Sequence, residues 1–206
     1  MRLHRFPWRA LAAAALVLAA TACAGGDGGG EVAQEGKGGY PWKATDEVCN
    51  TLPYGELADP LGAREEAADR NKKSGGGTPG VQCVQPLVSP GTAAYGNVQV
   101  ELDLAYAENV AFATEVFGKV RDEPAQKRRE GTFAEVEGVG KEAYRVLYNE
   151  PAELRQVRTL HVRDSNLMLD VTVTAEARTT PTPESLEALD AAVEDFARGV
   201  LKALRR

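Results

Sequence analysis

Hydrophobic and polar residues alternate most regularly near the end of the chain, and this alternation predicts β-strands. One face of the clearest strand carries Leu167, Leu169, Val171, Val173 and Ala175. Together with the preceding run 154–162, this strand predicts a hairpin that turns at residues 164–166. Alternation over 98–106 predicts another strand with one buried and one solvated face. Shorter runs predict strands over 81–88, 133–139 and 143–148.

Two other segments follow the helical period. Residues 108–121 place Ala113, Val116, Phe117 and Val120 on one side, which predicts an amphipathic helix. A long C-terminal helix begins after Thr182, a capping residue, with Pro183 in its first turn. Its apolar stripe consists of Leu186, Leu189, Val193, Phe196, Val200 and Leu204. The opposite side is acidic, the wrong charge for an anionic lipid surface, so this helix is expected to pack on the sheet.

The order of these elements predicts an α+β fold. A short helix near residues 45–52 and a glycine-containing exposed loop over 64–80 precede the first strand. Strands with one solvated face indicate a mainly antiparallel sheet, with the helices packed on the other face. The sequence therefore predicts a single α+β domain that ends in the long C-terminal helix.

The first 22 residues have the pattern of an export signal. Three arginines precede the apolar run 10–20, which is too short to span a membrane. Ala20-Thr21-Ala22-Cys23 resembles a bacterial lipobox, in which the cysteine is diacylated after cleavage of the signal. The alternative is an ordinary secretory cleavage site, which would leave Cys23 unpaired in an oxidising compartment.

The number of cysteines supports the interpretation that Cys23 is lipidated. The chain has three cysteines, so once Cys23 carries lipid, Cys49 and Cys83 remain as one pair. We expect a structural disulfide, which the chain-entropy model values at roughly 4 kcal/mol. A zinc site is the alternative, but the chain beyond the signal has one histidine, His161, and no C-x-x-C motif. The other alternative is that one of these cysteines is a catalytic thiol. No metal or cofactor is therefore expected.

The mature chain divides into a tether and a domain. Residues 23–39 carry the lipidated cysteine and eight glycines, a composition typical of a flexible linker. Residues 40–206 are long enough for one globular extracytoplasmic domain. Loss of three arginines with the signal changes the net charge from −6 to −9. Such an acidic domain argues against nucleic acid as a partner, and the basic run 127–129 is interpreted as a solvated loop.

No catalytic constellation is evident. His161 lies between two apolar strand residues, so we expect it on the solvated face or in a cross-strand pair. Glu135 and Glu137 share a strand face and could cooperate, although a solvated face is the simpler interpretation. Tyr40-Pro41-Trp42 could stack on a ligand or could anchor the start of the domain. We therefore expect no enzyme activity.

Several short motifs together resemble a family of small actinobacterial lipoproteins of unknown function. They are the lipobox, the glycine-rich tether, Cys49 ahead of the turn 52–57, Cys83 on the first strand, and the run 138–144 before a later strand. The resemblance covers most of residues 40–206 and implies an architecture and a location rather than an activity. The expected function is a non-catalytic, membrane-anchored binding or accessory module of the cell envelope. It would bind a small ligand, a cell-wall component or an envelope protein; the alternative is an envelope hydrolase with a carboxylate-based site.

Overall fold

One antiparallel sheet forms the framework of the fold. The computed structural model describes residues 38–40, 47–67, 71–73, 80–123, 131–150 and 154–205. The strands are β1 (Arg64–Glu65), β2 (Asn71–Lys73), β3 (Gly80–Val88), β4 (Tyr95–Tyr106), β5 (Thr132–Glu135), β6 (Glu142–Glu150), β7 (Arg155–Asp164) and β8 (Leu167–Ala177). Their order in the sheet is β1-β3-β4-β8-β7-β6-β5, and β2 also pairs with β3. The predicted hairpin is confirmed as β7–β8.

In the part of the chain that the structure describes, three α-helices and one 3-10 helix accompany the sheet. They are the 3-10 helix Val48–Thr51, α1 (Tyr54–Ala58), α2 (Val110–Asp122) and α3 (Pro183–Leu204). The Asn109 side chain caps α2 by accepting from Phe112 N at 2.9 Å. Thr182 caps α3 by accepting from Ser185 N at 3.3 Å. Both helices therefore begin where a side chain can bond to the first amide groups.

The main hydrophobic core lies between the sheet and α3. Leu169, Val171 and Val173 of β8 are completely buried. Their counterparts on α3 include Leu189 and Phe196, the latter 5.7 Å from the ring of Tyr54 in α1. The apolar stripe predicted for the C-terminal helix thus packs on the sheet, and the α+β fold class is confirmed. No helix among the described residues is long and apolar enough to cross a membrane.

A disulfide joins the 3-10 helix to this core. Cys49 and Cys83 are both completely buried, their Cα atoms are 5.5 Å apart, and they are bonded to each other. Because Cys83 lies on the core side of β3, the bond fastens the N-terminal segment to the sheet. The predicted pairing is therefore present in the structure.

The expectation that the helices cover one face holds for α1 and α3, whereas α2 lies over the other face. Its Phe117 contacts Tyr144 of β6 with ring centres 5.5 Å apart, and Val146 completes a small second core. Tyr144 points away from α3 because it alternates with Ala143, which belongs to the main core. Helix α2 packs over β6, β7 and the Met168 end of β8. Among the described helices, it is the one on this second face.

The segment expected to be a loop over 64–80 contains two short strands. β1 and β2 pair with opposite ends of β3. Pro86 lies between them and has no amide hydrogen to donate, but its carbonyl accepts from Glu66 N at 3.1 Å. Strands of two and three residues are too short to show an alternating pattern, which is why the sequence did not predict them.

The first described residues are fastened to the β7–β8 turn. Tyr40 is buried, its hydroxyl donates to Asp164, and Arg205 donates to the same carboxylate at 2.5 Å. Asn166 accepts from Tyr40 N at 3.0 Å and donates to Tyr40 O at 3.1 Å. Gly38 has a φ of +74°, and a Cβ there would lie 2.2 Å from Asn166 Oδ1, so this approach requires glycine. We call these contacts the N-terminal latch. Tyr40 is thus an anchor; residues 41 and 42 lie outside the described residues.

Candidate functional site

The face of the sheet opposite α3 is the candidate site, and we call its part outside α2 the open face. It is built from side chains of four neighbouring strands, β3, β4, β8 and β7, that alternate with core residues. Its polar members are Gln82, Asn97, Gln99, Glu101, Asp103, Asp170, Thr172, Thr174, Glu176, Arg155, Thr159 and His161. Alternation therefore presents a polar surface directly behind the hydrophobic core.

The two central strands of the open face are acidic. β4 contributes Glu101 and Asp103, and β8 contributes Asp170 and Glu176. Every residue of these two strands is described, and neither strand places a lysine or arginine on this face. Asn97 Nδ2 donates to Glu176 at 3.0 Å, and Gln99 donates to Glu101. Amide groups thus orient two of the carboxylates without neutralising them.

A lateral row of side chains crosses the middle of this face. Asp103 lies directly opposite Asp170, and Asp170 lies directly opposite His161 on the next strand. His161 Nδ1 is 2.7 Å from Asp170 Oδ1; because a carboxylate accepts, the imidazole is the donor. On its other side His161 stacks on Tyr144, with ring centres 4.5 Å apart. We call Asp103, Asp170, His161 and Tyr144 the acidic row.

The environment of the acidic row disfavours a charge on Asp103. Partial burial raises the pKa of this carboxyl, and the neighbouring Asp170 and Glu101 carboxylates raise it further. A hydrogen bond from Gln82 acts in the opposite direction. Like charges directly opposite each other in an antiparallel pair destabilise the sheet. The acidic row is therefore an electrostatically unfavourable arrangement.

Tyr144 ends the row beneath α2. The side chain is buried, and its hydroxyl has no hydrogen-bond partner among the described residues. Burial raises the pKa of Tyr144, Asp170 raises it further, and Arg121 of α2 opposes the shift. The phenol oxygen thus lies within the electrostatic influence of Asp170 although it makes no bond to it. A buried polar atom without a partner is unusual in a folded protein.

An open cavity of about 490 Å³ adjoins the acidic row. Glu101 lines it and is also a neighbour of Asp103 along β4. The other charged groups at its walls are Glu66, Glu176 and Arg155, so carboxylates outnumber the single guanidinium. Its volume is within the range of small-ligand sites. The residues of the acidic row are not among those that line the cavity, and Glu101 is the link between the two features along β4.

A second cavity, of about 300 Å³, lies between α2 and the β5–β6 hairpin. Glu135 and Glu137 both line it, so the structure brings these two glutamates to one place. Glu142, Arg121 and Lys141 line it as well, so two cationic side chains face three carboxylates here. This arrangement differs from the open face, where the carboxylates dominate.

The buried charges on the core side are structural. Arg158 is 3% exposed and donates to Asp190 of α3 at 2.5 Å, and to Tyr148 O and Asn149 Oδ1 at 3.2 and 3.0 Å. Arg145 pairs with Glu194 of α3 at 3.1 Å. These ion pairs tie β6 and β7 to α3. The Nε of Arg145 is buried and has no partner among the described residues.

The sequence located some of these residues and missed others. His161 is in a cross-strand pair on the second face, as expected, but its side chain is only 12% exposed. The sequence does not predict that Asp103 lies opposite Asp170, because it shows the alternation within each strand but not which strands pair. Cys23 and the basic run 127–129 lie outside the described residues. Among the described side chains, no group of three or more His, Cys, Asp or Glu residues is arranged to hold a metal ion.

Comparison with solved structures finds chains that resemble this one in fold. The crystal structure of the extracellular domain of PknH from Mycobacterium tuberculosis has a TM-score of 0.45 and 13% sequence identity to this chain. The match covers 77% of this chain and 98% of that domain. No protein-family model matches the chain. No curated protein sequence matches it either.

Proposed function

We propose that this chain is a non-catalytic binding module of the cell envelope, held at the outer face of the membrane by a lipid on Cys23, and that its ligand or protein partner occupies the open face. The observation that carries the proposal is the open cavity of about 490 Å³ on this face, which is lined by Glu66, Glu101, Glu176 and Arg155 among others. A cavity of this size with a few charged groups at its walls is suited to binding.

An extracytoplasmic location is supported by two independent features. Disulfides persist in oxidising compartments, and Cys49 and Cys83 are bonded in the core. The first 22 residues have the pattern of an export signal that ends at a lipobox-like cysteine. Two acyl chains on Cys23 would hold the protein at the membrane, since a single chain binds only weakly.

The contents of the open face support a non-catalytic role. His161 has its Nδ1 engaged by Asp170 and its ring stacked on Tyr144. The hydroxyls nearest along the same strands, Thr159 and Thr172, bond to each other at 3.3 Å rather than to the imidazole. The described side chains of this face therefore contain no nucleophile hydrogen-bonded to a base, which covalent catalysis requires.

One observation favours a hydrolase as the second candidate function. Asp103 and Asp170 lie directly opposite each other, and burial together with the neighbouring carboxylates raises the pKa of Asp103, as in carboxyl pairs that divide acid and base roles. Asp103→Asn would then abolish turnover of an envelope substrate while binding persisted. Retention of full turnover in Asp103→Asn would exclude this carboxylate mechanism.

The binding role is tested by screening neutral, cationic and anionic small molecules for their effect on the melting temperature of the full chain. A ligand that binds the folded state must raise its stability. Thr174→Arg places a long side chain in the cavity and should abolish the shift. The matched control is Thr114→Arg, on the exposed side of α2, which should leave it unchanged. Equal shifts in both variants would place the ligand elsewhere.

Anchoring is tested separately with Cys23→Ala. We expect this variant to leave the membrane fraction while retaining a folded domain, because the substitution removes the acylated thiol. Mass spectrometry of the wild-type protein should show a diacylglyceryl group at the new N-terminus. A variant that remains with the membranes, or a mature wild-type protein without the lipid mass, would contradict the proposal.

A further inference from the structure

We propose that the domain docks on the membrane surface through helix α2, with the exposed side chain of Phe112 in the interfacial layer of the bilayer. The inference rests on the proposed anchoring of the protein by Cys23 and adds to it the surface of the domain that meets the membrane. Three observations carry it: an exposed apolar row on α2, the position of the N-terminal latch beside the start of this helix, and the balanced charge of α2.

The first observation is the apolar row. Ala113 and Phe117 are the buried residues of α2. Phe112 and Val120 are 46% and 37% exposed, and in the described part of the chain they are the large hydrophobic side chains that are exposed. Val116 is half-buried and lies between them at steps of four residues, so these three side chains form one row along the helix. The apolar surface of α2 is therefore wider than the part that the sheet covers.

The second observation is the place where the chain from the lipid enters the domain. The side chain of Asn166 donates to Tyr40 O of the latch at 3.1 Å and to Ala107 O, just ahead of α2, at 3.0 Å. Asn109 follows two residues later and caps the helix by accepting from Phe112 N at 2.9 Å. Phe112 thus belongs to the first turn of a helix that starts beside the latch. The chain from the membrane therefore arrives next to the exposed apolar row.

The length of the chain before the latch keeps this end of the domain near the membrane. From Cys23 to Gly38 there are fifteen Cα–Cα steps (38 − 23), which reach about 50 Å at most. The cavity of the open face is farther along the sheet. Met168 packs on the small second core under α2, and Thr174 at the cavity lies six residues later on β8, or about 20 Å away. Docking through α2 therefore leaves the cavity outside the membrane contact.

The third observation is the charge of the two long helices. α2 contains two acidic and two basic residues, so its net charge is zero (2 − 2). α3 contains five acidic and two basic residues, for a net charge of −3 (2 − 5). An anionic bilayer surface repels α3 and the carboxylates of the open face, whereas it does not repel α2. Charge thus favours the same surface that the apolar row and the latch indicate.

Other occupants of the apolar row fit less well. A stable contact with a second copy of the chain buries about 800 Å² on each partner, far more than one row of three side chains offers. A small ligand needs a concave site, and the exposed side of a helix is convex. A membrane needs no matching shape, and the anchor raises the local concentration of bilayer around α2, so a small apolar contact is sufficient.

The test is fluorescence quenching with the full lipoprotein reconstituted into phosphatidylcholine vesicles that contain doxyl-labelled lipid. Ala111→Cys introduces a thiol beside Phe112. Ala188→Cys introduces the matched thiol on α3, on the other side of the sheet, and both alanines are exposed. Each thiol is labelled with a nitrobenzoxadiazole dye. The label at residue 111 should be quenched at least about twofold more strongly than the label at residue 188, because an interfacial helix buries its apolar side in the headgroup boundary.

The labelling is selective because the other cysteines do not compete. Cys49 and Cys83 are bonded to each other and buried. Cys23 carries the lipid in the anchored protein, as mass spectrometry of the same preparation verifies. The introduced thiol is then the one that reacts with the dye.

A second arm tests the contribution of the apolar side chain. Phe112→Glu, made in the Ala111→Cys protein, should abolish the extra quenching, since a charged group replaces the inserted ring. Thr114→Glu is the matched control, because it adds the same charge on the other side of the same helix and should leave the quenching unchanged. Circular dichroism verifies that each variant is folded. The comparison of residues 111 and 188 requires no change at Phe112 and remains valid by itself.

The outcomes separate this inference from the proposed function. Equal quenching at residues 111 and 188, or quenching that persists in Phe112→Glu, would overturn the docking. A signal at residue 111 that depends on protein concentration in vesicles without doxyl lipid would assign the row to a second copy and would overturn it as well. Protein that floats with the vesicles but shows no quenching at residue 111 keeps the anchor and refutes the docking. Protein that lacks the lipid mass and does not float refutes the anchoring by Cys23 itself.

Discussion

The two faces of strand β8 carry side chains of opposite character. On the core side Leu169, Val171 and Val173 are completely buried against α3 and the neighbouring strands. On the open side Asp170 and Glu176 face away from the core beside two further carboxylates on β4. Both sets belong to the same strand and differ by one residue in register.

The difference shows where the fold has been optimised for stability and where it has not. Even the charged Arg158 on the core side has its guanidinium surrounded by acceptors. On the open face, by contrast, the like charges of Asp103 and Asp170 lie directly opposite each other. Departures from local consistency of this kind are expected at functional sites. The core face thus carries the stability of the fold, and we assign binding to the open face.

The largest expected effect is on the core side, at the disulfide. Replacing both Cys49 and Cys83 by serine should lower the free energy of unfolding by about 4 kcal/mol, because the unfolded chain regains the freedom of a long loop. Urea denaturation of wild type and the double variant measures this difference. The far-UV circular dichroism spectrum should be unchanged below the transition. Two free thiols in protein isolated from the envelope would contradict the expected bond.

A single large-to-small substitution in the core tests the contribution of the same face to stability. Leu169→Ala should cost about 3 kcal/mol, since Leu169 is completely buried and the site cannot collapse fully around alanine. Thr172→Ala, on the open side of the same strand, should change the stability by less than about 0.5 kcal/mol. Chemical denaturation of both variants compares the two faces directly. Similar losses would show that the open face also carries the stability of the fold.

The sequence predicted the elements whose pattern is long, and missed those that depend on the order of strands. The alternation in β8 and the stripe from Leu186 to Leu204 in α3 each repeat often enough to identify an element and its buried side. β1 and β2 are too short to show a period. Asp103 and Asp170 are far apart in sequence. They lie opposite each other because β8 pairs with β4 as well as with its hairpin partner β7. Alternation within one strand contains no information about that pairing.

The same limit applies to the N-terminal latch. Tyr40 was recognised as a possible anchor from its aromatic character, but its partners Asp164 and Arg205 come from the β7–β8 turn and the end of α3. Such contacts follow from the position of whole elements in the fold. The sequence could therefore identify Tyr40 as an anchor but not the residues that bind its hydroxyl.

Tyr40→Phe tests the latch and should cost about 1.5 kcal/mol, because the variant loses a buried hydrogen bond to a carboxylate. Burial and the hydrogen bond to Asp164 raise the pKa of Tyr40, so the hydroxyl remains a donor throughout the neutral range. Thermal denaturation measures the loss, and Tyr148→Phe is the matched control because the Tyr148 hydroxyl has no partner among the described residues. Equal losses in the two variants would show that the hydrogen bond contributes nothing.

His161→Ala should cost about 1 kcal/mol, more than an exposed substitution would. The imidazole is mostly buried, stacks on Tyr144 and bonds to Asp170, so its removal loses packing and a hydrogen bond. Urea denaturation measures the loss, and any activity found for the protein should persist in this variant. If that activity disappears while the variant remains folded, His161 is part of a catalytic site and the non-catalytic proposal is wrong.

The smallest effect should be a gain in stability on the open face. Asp103→Asn should raise the free energy of unfolding at pH 7 by about 0.5 kcal/mol, because it removes a like charge opposite Asp170. Partial burial and the neighbouring carboxylates raise the pKa of Asp103 above its unfolded value, so the ionised group opposes folding at neutral pH. As the pH falls through the raised pKa, the carboxyl takes up a proton in the folded state first and the penalty disappears. The advantage of Asp103→Asn over wild type should therefore shrink from neutral pH towards about pH 4, near the unfolded pKa of aspartate.

Urea denaturation at a series of pH values measures this trend, with Glu187→Gln as the control for loss of one negative charge. A loss of stability in Asp103→Asn at pH 7 would show that the acidic row is a stabilising arrangement, and the contrast between the two faces of the sheet would no longer hold.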